Sequence, residues 1–284
     1  MRVAVIGTGY LGRTVVANFE NRGAEVLHTY NSRKYFDDSI QFDLFFQNLP
    51  DTILLAEIDV VVFTSMIEDS SNTEAVLGAM RRAFLSCRDK RVVYISTDAV
   101  FDGQKGMYVE KDSPNPQTPY GMHKKLCEDM LCAIVPNSCV VRPSYIFGFS
   151  LGQLDNRLNK ARALAQNGQR IKKFIDMFKS STEVNQLAEI ISTVSTSDFR
   201  GVLHACGKRL SVHDFFKQAL AVLGERTDLL ESDCIPENAP SEYLVDTSLD
   251  SSLLRKEFGF KPTSMEVALG NPKKEFATND QNQV

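Results

Sequence analysis

The first twelve residues constrain the fold more than any other part of the chain. Val3-Ala4-Val5-Ile6 is a short apolar run rich in β-branched residues, the composition of a strand buried on both faces of a parallel sheet. Gly7-Thr8-Gly9-Tyr10-Leu11-Gly12 follows at once. Leu11, Val15, Val16 and Phe19 then recur at helical spacing through about Asn21, and Gly23 stops that helix. Glu25–Tyr30 reads as the next strand. A GxGxxG run is uninformative alone, but strand, glycine turn, helix and strand give it a meaning. The first glycine allows the tight turn, the second lets a pyrophosphate approach the backbone, and the third lets helix pack on strand. The helix N-terminus offers free N–H groups and a positive dipole end to phosphates. Gly7, Gly9, Tyr10, Leu11 and Gly12 are therefore candidate dinucleotide-binding residues.

The end of the second strand bears on which dinucleotide. An acidic residue there would bind the ribose 2′-hydroxyl of NAD. This chain instead has Asn31-Ser32-Arg33-Lys34, whose two cations and two short polar groups suit a 2′-phosphate. The expectation is NADP(H), with NAD(H) possible; a solvated basic loop would present the same residues. A third strand around 39–42 leads to Asp43-Leu44, candidates to hold the adenine. Strands at 59–63 and 91–95, with a helix at 73–86 between them, complete an alternation that implies an α/β, doubly wound parallel sheet. Ligands of such sheets lie at the carboxyl ends of the strands. Gly9, Thr64, Ser65, Met66 and Thr97 fall at or just beyond such ends.

Composition narrows the function classes. The 284 residues are 43% hydrophobic and 24% charged, enough to bury a sizeable core without disulfide or metal staples. A net charge of −4 gives no electrostatic footprint for nucleic acid, and no apolar run reaches membrane-spanning length. The six cysteines form no Cys-x-x-Cys pair and the four histidines are scattered, so no metal site is expected. Reduced thiols and a strand beginning at the N-terminus lead us to expect a cytoplasmic protein.

Tyr120 and Lys124 carry the chemistry. One turn takes 3.6 residues, so a phenol and an ammonium four apart share a helix face. The cation favours the phenolate, which makes the tyrosine a usable proton donor or acceptor near neutral pH. Many exposed helices carry such a pair by chance; here Ser96-Thr97-Asp98 stands upstream, at the end of a strand.

With these residues in place the chain resembles the extended short-chain dehydrogenase/reductase family. The resemblance rests on the glycine turn, on Ser-Thr-Asp-Ala-Val-Phe-Asp-Gly at 96–103, on Pro-Tyr-Gly-Met-His-Lys at 119–124, and on Val-Arg-Pro-Ser-Tyr-Ile-Phe-Gly at 141–148. Within the family it looks most like the dTDP-4-dehydrorhamnose reductase branch, which reduces the 4-keto group of a nucleotide-linked deoxysugar. Segments 176–182 and 249–259 extend the likeness to about residue 270. The resemblance implies that Thr97 hydrogen-bonds the substrate carbonyl and that Tyr120 protonates it as hydride arrives. It implies that Lys124 holds the nicotinamide ribose and keeps the tyrosine pKa low. Pro143 falls on the cofactor side, and Asp98, Val100, Phe101, Tyr145, Asn156, Arg157, Lys160 and Ser181 on the substrate side. A homodimer is a family expectation.

The chain departs from the family pattern at four places. The first turn is GxGxxG rather than GxxGxxG. Thr64-Ser65-Met66 stands for Asn-Ala-Ala, Ala75-Val76-Leu77-Gly78 lacks the usual asparagine, and Ser181-Thr182 stands for Pro-Thr. Two alternatives therefore stay open: an epimerase or dehydratase that recycles tightly held NAD, or a non-catalytic regulatory subunit like the β subunit of methionine adenosyltransferase.

The expected organisation is an NADP(H)-binding Rossmann domain at 1–148 that carries the catalytic residues. A smaller substrate lobe follows at 149–270, partly interleaved with the sheet, and a polar tail at 271–284 frays. Helices are expected at 155–167, 185–194 and 213–223, with a strand at 202–205. The first of these either covers a substrate diphosphate with Arg157 or Lys160, or simply shows a solvated basic face.

Overall fold

Side chains of a strand point alternately to the two faces of its sheet, so a strand buried on both sides must be apolar at every position. The buried runs Val3–Ile6, Val60–Phe63 and Val92–Ile95 obey this. The strands of the sheet are β1 (Arg2–Ile6), β2 (Glu25–Tyr30), β3 (Ile40–Gln41), β4 (Val60–Phe63), β5 (Arg91–Ile95), β6 (Ser138–Pro143) and β7 (Gly201–Ala205). In the computed structural model, which describes residues 1–50, 53, 57–66, 72–237 and 243–270, they form one sheet in the order β7-β6-β5-β4-β1-β2-β3. All neighbours are parallel, with Val3 opposite Val26 on one side and Val60 on the other. The expected α/β doubly wound sheet is what forms. The tail at 271–284 lies outside the described residues.

Parity sorts the core. Val3, Val5, Val60, Val62, Val93, Ile95, Cys139 and Val141 face one side. Ala4, Ile6, Val61, Phe63, Val92, Tyr94 and Val140 face the other. The helices are α1 (Tyr10–Asn21), α2 (Thr73–Ser86), α3 (Pro119–Ile134), α4 (Asn156–Gln166), α5 (Val184–Ser195) and α6 (Val212–Val222). α1 and α5 cover the first face through Val15, Val16, Phe19, Leu187 and Ile191. α2 and α3 cover the second through Val76, Met80, Phe84, Cys127 and Leu131. The predicted helix at 155–167 is α4 with its two caps. Asp155 accepts from the backbone N–H groups of Arg157 and Leu158, and Asn167 closes the other end.

The second half of the chain is interleaved with the sheet, since β7 pairs with β6 and α5 packs on the first face. A separate core holds the small lobe: Phe147, Leu158, Ile171, Phe215, Phe216 and Leu220 join α4, α6 and the 171–174 strand. Among the described residues no helix is long and apolar enough to cross a membrane.

Three polar side chains sit deep beside β6. Arg142 donates Nε to Glu128 Oε1 (2.9 Å) and Nη2 to Oε2 (2.5 Å), with both residues almost fully buried. His204 on β7 lies opposite Arg142 and sets its Nδ1 3.0 Å from the Tyr108 carbonyl. Removing one partner of a buried pair strands a charge, so Arg142→Met should cost about 3–5 kcal/mol. Adding Glu128→Leu should recover most of that in urea unfolding. Burial, helped by Arg142, pushes the His204 pKa from its ordinary 6.5 to about 4. The unfolded chain gains a proton near pH 6.5 and the folded one only near pH 4. Stability is thus full above pH 6.5 and should fall by roughly 3 kcal/mol as pH drops through that window. In His204→Gln, the urea midpoint should vary less steeply across it.

Candidate active site

The strand order reverses between β1 and β4, and the glycine turn lies at that switch point. Gly7 has φ +100°, and a Cβ there would meet Ser65 Cα at 2.8 Å. A Cβ on Gly12 would meet the Gly7 carbonyl oxygen at 1.9 Å. A Cβ on Gly9 would meet nothing within 4 Å. The first and third glycines are therefore demanded by the fold itself, whereas the second borders open space where a phosphate can approach the backbone. Thr29 fastens the turn: Gly7 N–H donates to its Oγ1 (3.0 Å) and Thr8 N–H to its carbonyl (2.8 Å). Ser65 Oγ and Ser96 Oγ, at the ends of β4 and β5, are buried with no hydrogen-bond partner among the described residues. Orphaned hydroxyls and an open glycine fit a dinucleotide laid across these strand ends.

The other candidates for that cofactor divide. Asn31, Ser32, Arg33 and Lys34 are all exposed after β2, and the Arg33 guanidinium lies 4.8 Å from the Tyr35 ring centre. Met66 is exposed. Thr64 turns its hydroxyl back onto the Gly7 carbonyl (2.6 Å), so it locks the turn. Tyr10 likewise spends its hydroxyl on the Gly148 carbonyl (2.7 Å). Leu11 is core, leaving only its backbone for a ligand, and Pro143 is buried at the end of β6. Asp43 is half-buried and accepts from Phe45 N–H (2.9 Å). Leu44 does not present a side chain for adenine: it is buried in the core under the second sheet face. Alternation along the chain after Phe42 sends it inward.

Thr97, Tyr120 and Lys124 sit on two elements that touch each other. Thr97 caps a short 3-10 turn at Asp98–Val100 that follows β5. Thr118 caps α3, with Pro119 in its first turn, so Tyr120 projects from the first turn of that helix. A Cβ on Gly121 would lie 2.1 Å from the Ala99 carbonyl oxygen. The helix start therefore rests directly on the turn beside Thr97. Lys124, one turn on, is buried and donates Nζ to the Ile95 carbonyl at the end of β5 (2.9 Å). Its Nζ is 4.7 Å from the Tyr94 ring centre and 5.9 Å from that of Tyr120.

The substrate-side candidates need correction. Val100 and Phe101 are fully buried with Tyr108, Cys206 and Leu249 and offer no surface to a ligand. Asp98 is occupied as well. Its Oδ1 accepts from Thr97 (3.2 Å), and its Oδ2 from Ser144 (2.9 Å), Lys179 (3.1 Å) and Thr247 (2.6 Å). Burial works to raise its pKa, but Lys179 and the hydroxyls of Thr247 and Ser144 outweigh it and hold the carboxyl below its usual range. Asp98 is a junction between the Thr97 turn and three later segments. Tyr145 donates to Asp155 Oδ1 (3.1 Å), with the Arg157 guanidinium 4.3 Å from its ring centre. Asn156, Arg157 and Lys160 are exposed on α4; Ser181 is half-buried, and its carbonyl accepts from Gly207 N–H (3.1 Å).

Sequence reasoning missed Lys179, Ser144 and Thr247 as partners of Asp98. Thr247 is 149 positions away and carries no local signal. It also missed Arg13, whose one signal is its place directly after Gly12.

The model for the RmlD substrate binding domain matches residues 1–277. The chain belongs to this family. The dTDP-4-dehydrorhamnose reductase of Aggregatibacter actinomycetemcomitans is 25% identical over 296 residues, spanning 95% of this chain and 97% of the relative. A hypothetical dTDP-4-dehydrorhamnose reductase from Sulfolobus tokodaii is similar in structure, with a TM-score of 0.79, 26% identity, and coverage of 95% of this chain and 99% of that one. The dTDP-4-dehydrorhamnose reductase of Bacillus anthracis, solved in complex with NADP, has a TM-score of 0.79 at 18% identity over 93% of this chain and 95% of its own, a likeness of fold.

Gly121→Ala should push α3 off the Thr97 turn and destabilise the protein by about 1–3 kcal/mol, the usual cost of overpacking. Gly78→Ala on α2 is the control. Its Cβ would meet only Arg82 Nη1 at 3.9 Å, so it should stabilise by up to about 1 kcal/mol. Thermal unfolding of both variants checks the contrast.

Proposed function

We propose that the chain is an NADPH-dependent reductase of the 4-keto group of a nucleotide-activated, dTDP-linked 6-deoxysugar. The observation that supports this reading is the seating of the helix start that carries Tyr120 and Lys124 on the end of β5 and the Thr97 turn, in a chain whose second glycine is open to a phosphate. Full-length similarity to a protein named as a reductase favours this over the epimerase, dehydratase and regulatory-subunit alternatives.

In this reading Gly7, Gly9 and the first turn of α1 hold the pyrophosphate, Ser65 and Ser96 supply hydroxyls along the strand ends, and Arg33 with Lys34 meets the 2′-phosphate. Bound there, the dinucleotide supplies the hydride. The chain's own residues manage the oxygen. Reduction builds negative charge on the carbonyl oxygen, and a positioned acid with a second hydrogen bond lowers that barrier. Tyr120 donates the proton, and the Thr97 hydroxyl, turned from Asp98 to the substrate oxygen, donates the second bond. Lys124, tied to the Ile95 carbonyl, sets a cation near the phenol. Tyr145, Asn156, Arg157, Lys160 and Ser181 border the sugar nucleotide from the small lobe. The same reading has the enzyme work in the cytoplasm, as a homodimer, with no nucleic-acid partner.

Turnover is followed as loss of nicotinamide absorbance with NADPH and dTDP-4-keto-6-deoxysugars, before and after 3,5-epimerisation. Tyr120→Phe should lower kcat by roughly two to four orders of magnitude, the usual worth of a positioned acid. Turnover equal to wild type would remove Tyr120 from the mechanism. No NADPH oxidation with any of these sugars would sink the reading.

A further inference from the structure

Two buried carboxylates have an opposite charge at hand, Glu128 beside Arg142 and Asp98 beside Lys179. Arg13, like Arg91, is a buried cation held by neutral groups. It is only 4% exposed, in the first turn of α1 directly after the third glycine. Its Nε donates to Ser150 Oγ (2.6 Å) and its Nη1 to Gln153 Oε1 (2.7 Å), both neutral groups. Ser150 is itself pinned, donating to the Tyr10 carbonyl (2.7 Å). No carboxylate among the described residues pairs with Arg13, and its Nη2 has no hydrogen bond there. A buried cation without a counter-charge is costly, and an anion brought beside Arg13 would offset that cost.

What distinguishes Arg13 is its neighbour across the Tyr35 ring. The Arg13 guanidinium lies 4.7 Å from its ring centre and that of Arg33 lies 4.8 Å from it. Two like charges thus converge on one ring, one rising from the glycine-turn helix and one from the loop after β2. Burial lowers the Arg13 pKa and the nearby Arg33 adds to this, which places the two guanidiniums within electrostatic reach. A dianionic phosphate between them would relieve both the repulsion and the desolvation.

We propose that Arg13 is a second guanidinium for the 2′-phosphate of NADPH, acting with Arg33 around Tyr35, and so a determinant of the choice of NADPH over NADH. The proposal rests on the NADPH-dependent reading above. It adds a residue from α1 to the loop residues expected to read the 2′-phosphate. The Ser150 and Gln153 side chains of the adjoining hairpin position it.

The test titrates nucleotide-free wild type, Arg13→Gln and Arg13→Lys with NADPH and with NADH, following nicotinamide fluorescence. Arg13→Gln should weaken NADPH roughly ten- to a hundredfold, the worth of a charge-assisted hydrogen bond. It should change NADH by no more than about threefold, with Arg13→Lys in between. Equal losses for both nucleotides would make Arg13 a structural or pyrophosphate residue and overturn the proposal, as would an unchanged NADPH affinity. Wild type that binds neither nucleotide would instead sink the reductase reading on which this stands. Should Arg13→Gln not fold, a crystal structure of wild type with 2′,5′-ADP decides. Arg13 Nη atoms at hydrogen-bond distance from the 2′-phosphate support the assignment; Nη atoms turned away from it overturn the assignment.

Discussion

A parallel sheet covered by helices on both faces leaves no face for chemistry. Here α1 and α5 seal one side and α2 and α3 the other, so polar groups that must meet a ligand are driven to the strand ends. The glycine turn lies at the switch between β1 and β4. It packs backbone against backbone, since a Cβ on Gly7 would meet Ser65 and one on Gly12 would meet Gly7. The approach of these segments is so close that side chains are excluded. That exclusion is what leaves N–H groups and open space for phosphates.

The start of α3 is fixed by a second close approach. Gly121 rests on the Ala99 carbonyl, and Lys124 reaches the Ile95 carbonyl. Together these fix the start of α3 against the turn that carries Thr97. Asp98 then extends the rigidity outward. One buried carboxylate gathers Thr97, Ser144, Lys179 and Thr247, so segments far apart in sequence hold one turn in place. The charge balance of Asp98 is complete within the chain. That of Arg13 is not, since its hydrogen-bond partners Ser150 and Gln153 are neutral.

Much of the Rossmann half was legible because its signals are local. The run Val3–Ile6, the spacing of Leu11, Val15, Val16 and Phe19, and the helix at Thr73–Ser86 each declare themselves within one element. Tyr120 and Lys124 were legible for the same reason, since one helical turn sets their separation. The misjudged residues share a different cause. Val100, Phe101 and Leu44 sit next to ligand-facing positions in sequence, but alternation and tight turning send their side chains into cores. Adjacency in the chain says nothing about which way a side chain points.

The sequence by itself determined the alternation of strand and helix, the glycine turn, the Tyr-Lys pair and the two-sided burial of the sheet. All of these depend on periods of two or 3.6 residues and on backbone sterics. Tertiary structure alone decided which charges are compensated. Lys179 and Thr247 meet Asp98 across 81 and 149 positions, and Arg13 meets Ser150 across 137. The physical reason is that a buried charge is governed by what lies within a few ångströms in space, and no local periodicity encodes a contact between such distant residues.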